Sequence, residues 1–228
     1  MRSVSNFSLA IGIPLSFPWV PASFFHSFIH MDRPTFTYLH ADNGGASALR
    51  NNLVEKALDI GATHLLMCDV DQVYHPQTVT SLLSRNLPVV GALVHRRYPP
   101  FDSLMLKLVE IDEFTNGYES IDEWTPGELV EVDAMGGGCT MFEMEVFKKL
   151  SYPWYRDNKP VPAGSPPIGE DIAICQDLKD LGYRLYVDTA VPAGHLATMI
   201  VSTATNKLYR ACKSAQAATE ALKTIIEK

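Results

Sequence analysis

Apolar residues in this chain fall into two alternating patterns: short runs that end on Gly, Pro, Asn or Asp, and longer stretches where they recur every three or four positions. The first run, 7–13, predicts a strand that turns at Gly12-Ile-Pro14-Leu-Ser16, and the aromatic stretch 19–29 predicts a helix. A β-branched and aromatic run at 35–40 predicts a second strand, closing at Ala41-Asp-Asn-Gly-Gly45. Ala48, Leu49, Leu53, Ala57 and Leu58 then repeat at helical spacing across 46–60, and Gly61 stops the helix. The third strand, Leu65-Leu-Met-Cys68, runs straight into Asp69-Val-Asp71. A helix over 76–85 and a strand over 88–94, ending at His95-Arg96-Arg97, complete the series. Strand alternating with helix in this way implies an α/β domain with a mostly parallel central sheet, right-handed crossovers and helices on both faces.

Past Pro99-Pro100 the rhythm shortens to strands at 104–109 and 129–134, predicting a small antiparallel, hairpin-like insertion over the sheet edge. Gly136-Gly-Gly138 leads into 139–142 and a helix over 143–150, and three glycines in a row suit a backbone that passes close to something bulky. The Pro-rich loop 153–167 is long enough to act as a flap. Gly169-Glu170-Asp171 opens a helix over 172–181 that stops at Gly182, the strand 183–187 follows, and Gly194-His195 is expected a few residues past its tip. Leu208, Ala211, Ala215, Ala218, Leu222 and Ile225 form one apolar stripe on a C-terminal helix. The expected organisation is one domain over 1–200 and a helix over 201–228 that docks on it or on a second copy as a homodimer.

At 228 residues and 46% hydrophobic content the chain can bury a sizeable core. Its formal net charge of −7 argues against nucleic acid as a partner. The acidity is local: 108–147 holds eleven Asp and Glu and no Lys or Arg, leaving 19 basic and 15 acidic residues elsewhere. Cys68, Cys139, Cys175 and Cys212 are widely spaced, without a Cys-x-x-Cys pair, and read as reduced core thiols in a cytoplasmic protein. Pro14, Pro18, Pro21 and His26 interrupt the apolar N-terminal stretch, so neither a signal peptide nor a membrane span is expected there.

The chemistry centres on Asp69 and Asp71. In a parallel sheet the ligand lies at the carboxyl ends of the strands, where both acids fall. Two carboxylates this close repel each other, and a hard divalent cation relieves that repulsion. The structural alternative makes Asp71 a helix-capping acid and Asp69 a solvated strand end. Glu170 and Asp171 have a structural alternative too, because a helix dipole favours acids in the first turn.

Asp69-Val-Asp71, Gly136-Gly-Gly138, Gly169-Glu-Asp171 and Gly194-His195, in that order and with Leu49-Arg50-Asn51 on the preceding helix, resemble the layout of the GT-A glycosyltransferases, especially small family 2-like members. The resemblance covers about residues 8–198. It implies a single Rossmann-like GT-A domain that binds a UDP- or GDP-sugar over the first strands, with Mn2+ or Mg2+ on the diphosphate. Ile13, Pro14 and Asp42 match the strand ends that hold base and ribose, Arg50 the helix residue that faces the nucleotide, and Gly137 the glycine turn beside the donor. Asp71 and His195 match metal ligands, and Asp69 a ribose or metal-water contact. A mixed oxygen and imidazole shell favours Mn2+. Asp171 matches the general base of inverting relatives and Glu170 the residue that orients the acceptor, a saccharide or glycoconjugate hydroxyl. Where family 2 members often carry an Arg after the Glu-Asp pair, this helix reads Ile172-Ala-Ile-Cys-Gln-Asp177.

Two other classes compete. Asp69-Val-Asp-Gln-Val73 also fits the nucleophile loop of haloacid-dehalogenase-type phosphatases, although that loop normally follows the first strand. A non-catalytic nucleotide-sugar-binding module would keep the same donor residues without turnover.

Overall fold

The computed structural model describes residues 7–112, 115–157, 168–198, 202–203, 206–208 and 210–215. In chain order the elements are β1 (Leu9–Leu15), α1 (Ala22–Ile29), β2 (Phe36–Asp42), α2 (Ala46–Asp59), β3 (His64–Cys68), β4 (Gln72–Val73), α3 (Thr78–Ser84) and β5 (Val89–Val94). Then come β6 (Met105–Asp112), β7 (Thr115–Ser120), β8 (Leu129–Val132), β9 (Ala134–Met135), β10 (Cys139–Glu143), α4 (Glu145–Lys149), α5 (Glu170–Asp180) and β11 (Leu185–His195). Eight strands form one sheet in the order β2-β1-β3-β10-β5-β11-β4, with β8 also on β11. β2, β1, β3, β5 and β11 run the same way; β10 is antiparallel to β3 and β5, and β8 and β4 are antiparallel to β11.

The pleat sorts each strand between two cores. On β3, Leu65 and Met67 face α2, α4 and α5, where they join Leu53, Phe147 and Ile174, while Leu66 and Cys68 face α1 and α3, where they join Phe24 and Leu82. A strand buried on both faces must be apolar throughout, which is why this one has no polar alternation. Gly61 (φ +67°) and Gly182 (φ +83°) take up the left-handed conformation just past α2 and α5, the role their positions predict.

The insertion differs from its expected form. β6 pairs with β7 inside the acidic segment, at Leu106↔Ser120 through Asp112↔Thr115, and with β9. The run at 129–132 leaves it and becomes β8, an antiparallel partner for β11, so the free edge of that strand is paired. The small sheet is no mere edge cover, since Met105, Leu106 and Met135 enter the core on the α5 side. Part of the acidity is paired, Glu131 with Arg184 and Asp133 with Lys179.

Cys68, Cys139 and Cys175 are buried and unpaired, as core thiols should be, but Cys212 is exposed. It lies in the unit 197–228, whose described helical residues, Leu208 among them, face solvent. Ala218, Leu222 and Ile225 of the expected stripe lie outside the described residues, as do 158–167 of the expected flap. Among the described residues no helix is long and apolar enough to cross a membrane.

Candidate active site

β3 delivers Asp69 at its carboxyl end, and the chain then folds back on itself. Gln72 and Val73 form β4, which pairs with Gly194 and His195, and Leu196 N–H donates to the Asp71 carbonyl at 2.7 Å. β11 thus runs further than its apolar core suggests, through a bulge between Asp188 and Ala193, and carries His195 within the sheet rather than beyond it. The result is a meeting of residues 124 positions apart: His195 Nε2 lies 3.3 Å from Asp71 Oδ2. His195 Nδ1 lies 2.8 Å from the His95 carbonyl oxygen, which can only accept, so Nδ1 carries the proton and Nε2 is turned to Asp71. Arg97 Nη1 donates to the same Asp71 oxygen at 2.9 Å. Burial works against an ionised Asp71, but the hydrogen bond and charge of His195, with Arg97, win and lower its pKa. Its hydrogen bond to the Asp71 carboxylate correspondingly raises the pKa of His195.

Arg50, from α2, is 5% exposed and sits between both acidic pairs. Its Nη2 donates to Asp69 Oδ2 at 2.9 Å, its Nε to Glu170 Oε1 at 3.4 Å and its Nη1 to the Gly137 carbonyl at 3.2 Å. Burial alone would lower its pKa, yet the facing carboxylates of Asp69 and Glu170 leave it raised, so the guanidinium stays charged. Arg50 thus ties the tip of β3, the glycine turn and the start of α5 together.

The glycine turn explains itself here. A Cβ on Gly138 would lie 1.9 Å from Gln72 Nε2 and 3.0 Å from Asp69 Oδ2; one on Gly137 would press on Asp171 and Arg50. Gly138 O accepts from Asp69 N–H at 2.9 Å and from the Tyr74 hydroxyl at 3.1 Å, locking the turn to the tip of β3. Asp171, at the start of α5, lies beside Gly137 and takes the Ile172 N–H at 2.8 Å. Burial, and then the charge of Glu170, raise its pKa.

Ile13 and Pro14, the residues the resemblance assigned to the donor, are buried within β1, which extends two residues beyond the expected strand; Leu15 and Ser16 after them line open space instead. With Phe17, Trp19, Asp42 and Asn43 they line a cleft of about 710 Å³ at the carboxyl ends of β1 and β2. Phe17 and Trp19 stack at 5.4 Å between centroids and remain exposed.

The structure adds Gln72 and Arg97 to the site. Gln72 is 2% exposed, and its Oε1, like Asp69 Oδ1, is buried without a hydrogen-bond partner among the described residues. A lone polar residue after Asp71 has no sequence signal that separates it from a turn residue. Arg97 follows a strand, where a cation reads as solvated. Among the described residues no group of three or more His, Cys, Asp or Glu is placed to hold a metal. Asp71 and His195 converge as a pair of suitable donors, one oxygen and one imidazole nitrogen.

No family model matches the sequence, and no curated protein matches it closely enough to count as a relative. The fold does have counterparts. A197 from STIV superposes with a TM-score of 0.55 over 83% of this chain and 86% of that one, at 18% identity. GalNAc-T7, solved with UDP, GalNAc and Mn2+, superposes with a TM-score of 0.60 at 14% identity. The fold is GT-A-like. The match spans 83% of this chain but 44% of GalNAc-T7, so it concerns less than half of that glycosyltransferase. Two strands, β1 and β2, precede β3, whereas the nucleophile loop of haloacid-dehalogenase-type phosphatases normally follows the first strand.

Proposed function

We propose that the protein is a metal-dependent glycosyltransferase, moving a sugar from a UDP- or GDP-sugar to a hydroxyl of a saccharide or glycoconjugate with inversion. The observation that carries this reading is the convergence of Asp71 and His195 beside Asp69, at the strand ends of a GT-A-like sheet. Asp71 and His195 would hold Mn2+ or Mg2+ there, one through a carboxylate oxygen and the other through an imidazole nitrogen. When bound, the cation supplies a Lewis acid for the charge that builds on the departing diphosphate.

The protein's own groups divide the remaining work. The cleft beside Asp42 takes the nucleoside, with Phe17 and Trp19 as apolar walls. Arg50 holds Asp69 and Glu170 in register, so the donor and acceptor sides are fixed by one buried cation. The acceptor oxygen bonds to the anomeric carbon as the bond from that carbon to the diphosphate oxygen breaks. The electron pair leaves with the diphosphate, and the hydroxyl proton passes to Asp171. Its raised pKa makes it a stronger base than a surface carboxylate.

Incubation with a panel of nucleotide sugars, with and without Mn2+, tests the proposal. Metal-dependent release of nucleoside diphosphate from at least one donor is expected. Binding of a nucleotide sugar without turnover, across a broad acceptor panel, would favour the non-catalytic module instead.

A further inference from the structure

Asp71 Oδ2 is a contested atom. Arg97 Nη1 donates to it at 2.9 Å while His195 Nε2 faces it at 3.3 Å. The Arg97 side chain is 56% exposed, and an ion pair so open to water is readily broken. A divalent cation shared by Asp71 and His195 would compete with Arg97 for the Asp71 carboxylate and would repel the guanidinium.

Displacement does not carry Arg97 away. The chain on either side is anchored: His95 O holds His195 Nδ1, His95 bridges to Ser103, and Arg96 N–H donates to Asp102 O at 2.9 Å. The guanidinium therefore stays within a side-chain length of Asp71, and its planar fork matches phosphate oxygens. α5 offers no alternative cation in the turns just after Glu170-Asp171, where it reads Ile172-Ala-Ile-Cys-Gln, and its Lys179 is paired with Asp133.

The geometry points to Arg97 as a counter-ion that changes partner, resting on Asp71 before the donor binds and on the donor's diphosphate afterwards. This inference rests on the glycosyltransferase reading. It makes Arg97 oppose the metal when the metal comes alone and assist the nucleotide when both are present. A residue that merely braced the loop would affect both in the same sense.

The test measures Mn2+ binding by the loss of free-Mn2+ paramagnetic resonance signal, and UDP and GDP binding by calorimetry at saturating Mn2+. It compares the wild type with Arg97→Ala, Arg97→Lys and Arg184→Ala. The last removes an exposed charge at the opposite end of β11 from His195, paired with Glu131, and controls for net charge. Arg97→Ala should bind Mn2+ alone more tightly, by up to about fivefold. It should bind the nucleoside diphosphate more weakly, by roughly tenfold. Arg97→Lys should fall between, and Arg184→Ala should change neither. If Arg97→Ala leaves both constants unchanged or moves them in the same sense, or if Arg184→Ala reproduces its pattern, the inference is overturned while the glycosyltransferase reading stands. A wild type that binds neither Mn2+ nor either nucleotide overturns both.

Discussion

Arg50 Nη2 and Asp69 Oδ2 lie 2.9 Å apart, across 19 residues of chain, and the same guanidinium reaches Glu170, 120 positions from Arg50. One buried cation thereby joins α2, the tip of β3 and the start of α5. Removing one partner of a buried pair strands the other, at a cost of about 3 kcal/mol or more. Arg50→Met should therefore lower stability by that order in urea or thermal unfolding. Adding Asp69→Asn should recover part of the loss, because the two residues are coupled. Additive losses would show that the pair is not a unit.

The Asp71–His195 pair sets an opposite pH dependence for folding and for metal binding. The folded pKa of His195 is raised above 6.5, so its stabilisation is fully present below about pH 6.5 and is lost as pH rises through the folded value. That of Asp71 is lowered from 3.8, so its contribution is present above about pH 4 and is lost on acidification through the folded value. The metal-free protein should gain most from the pair between those limits. Mn2+ needs the Nε2 lone pair and should bind better at pH 8 than at pH 5.5. Melting curves of wild type and His195→Ala across pH, with Mn2+ titrations, check both signs. A flat difference between the two proteins from pH 5 to 8 would contradict the assignment.

Gly138→Ala should destabilise the protein by about 1–3 kcal/mol, because the new methyl would meet the Gln72 amide at 1.9 Å in a site where Gln72 is 2% exposed and cannot swing into water. Combining it with Gln72→Ala should restore much of the stability. If the double variant is no better than Gly138→Ala, the crowding lies elsewhere.

What could be read from sequence follows from how local the cause is. β3 was legible because a strand covered on both faces must be apolar throughout and then stop at charge, and Leu65-Leu-Met-Cys-Asp69 does so. The need for glycine at 136–138 was legible too, although what crowds it, Gln72 and Asp171, comes from elsewhere in the chain. β10 reads like the other strands, and its reversed direction between β3 and β5 follows from the path of the chain through β6–β9, not from its own residues. β4 is two residues long, too short for any periodicity, and yet it brings His195 to Asp71. Arg97 matters through Asp71, 26 positions away, and Gln72 through Gly138 and His195, which lie farther still along the chain, a relation that no spacing records.

Asp171 provides the sharpest test of the chemistry. It starts α5, touches the Gly137 position and lies one residue from Glu170, which is tied through Arg50 to Asp69. Burial and the neighbouring Glu170 charge raise its pKa, while Arg50 and the N–H groups of Ile172 and Gly137 keep the ionised form accessible. A base tuned upward in this way takes a proton more readily but loses activity sooner on acidification, so kcat/KM should fall as pH drops through the raised value. Asp171→Asn keeps the shape and the hydrogen bond to Ile172 N–H but cannot accept the proton. It should reduce transfer by about 10²–10⁴-fold while binding of Mn2+ and nucleoside diphosphate stays at the wild-type level. Near-native transfer by this variant would make Asp171 a helix-start acid held in place by α5 and nothing more. The product's anomeric configuration gives an independent check, since retention excludes the single displacement in which Asp171 serves as base.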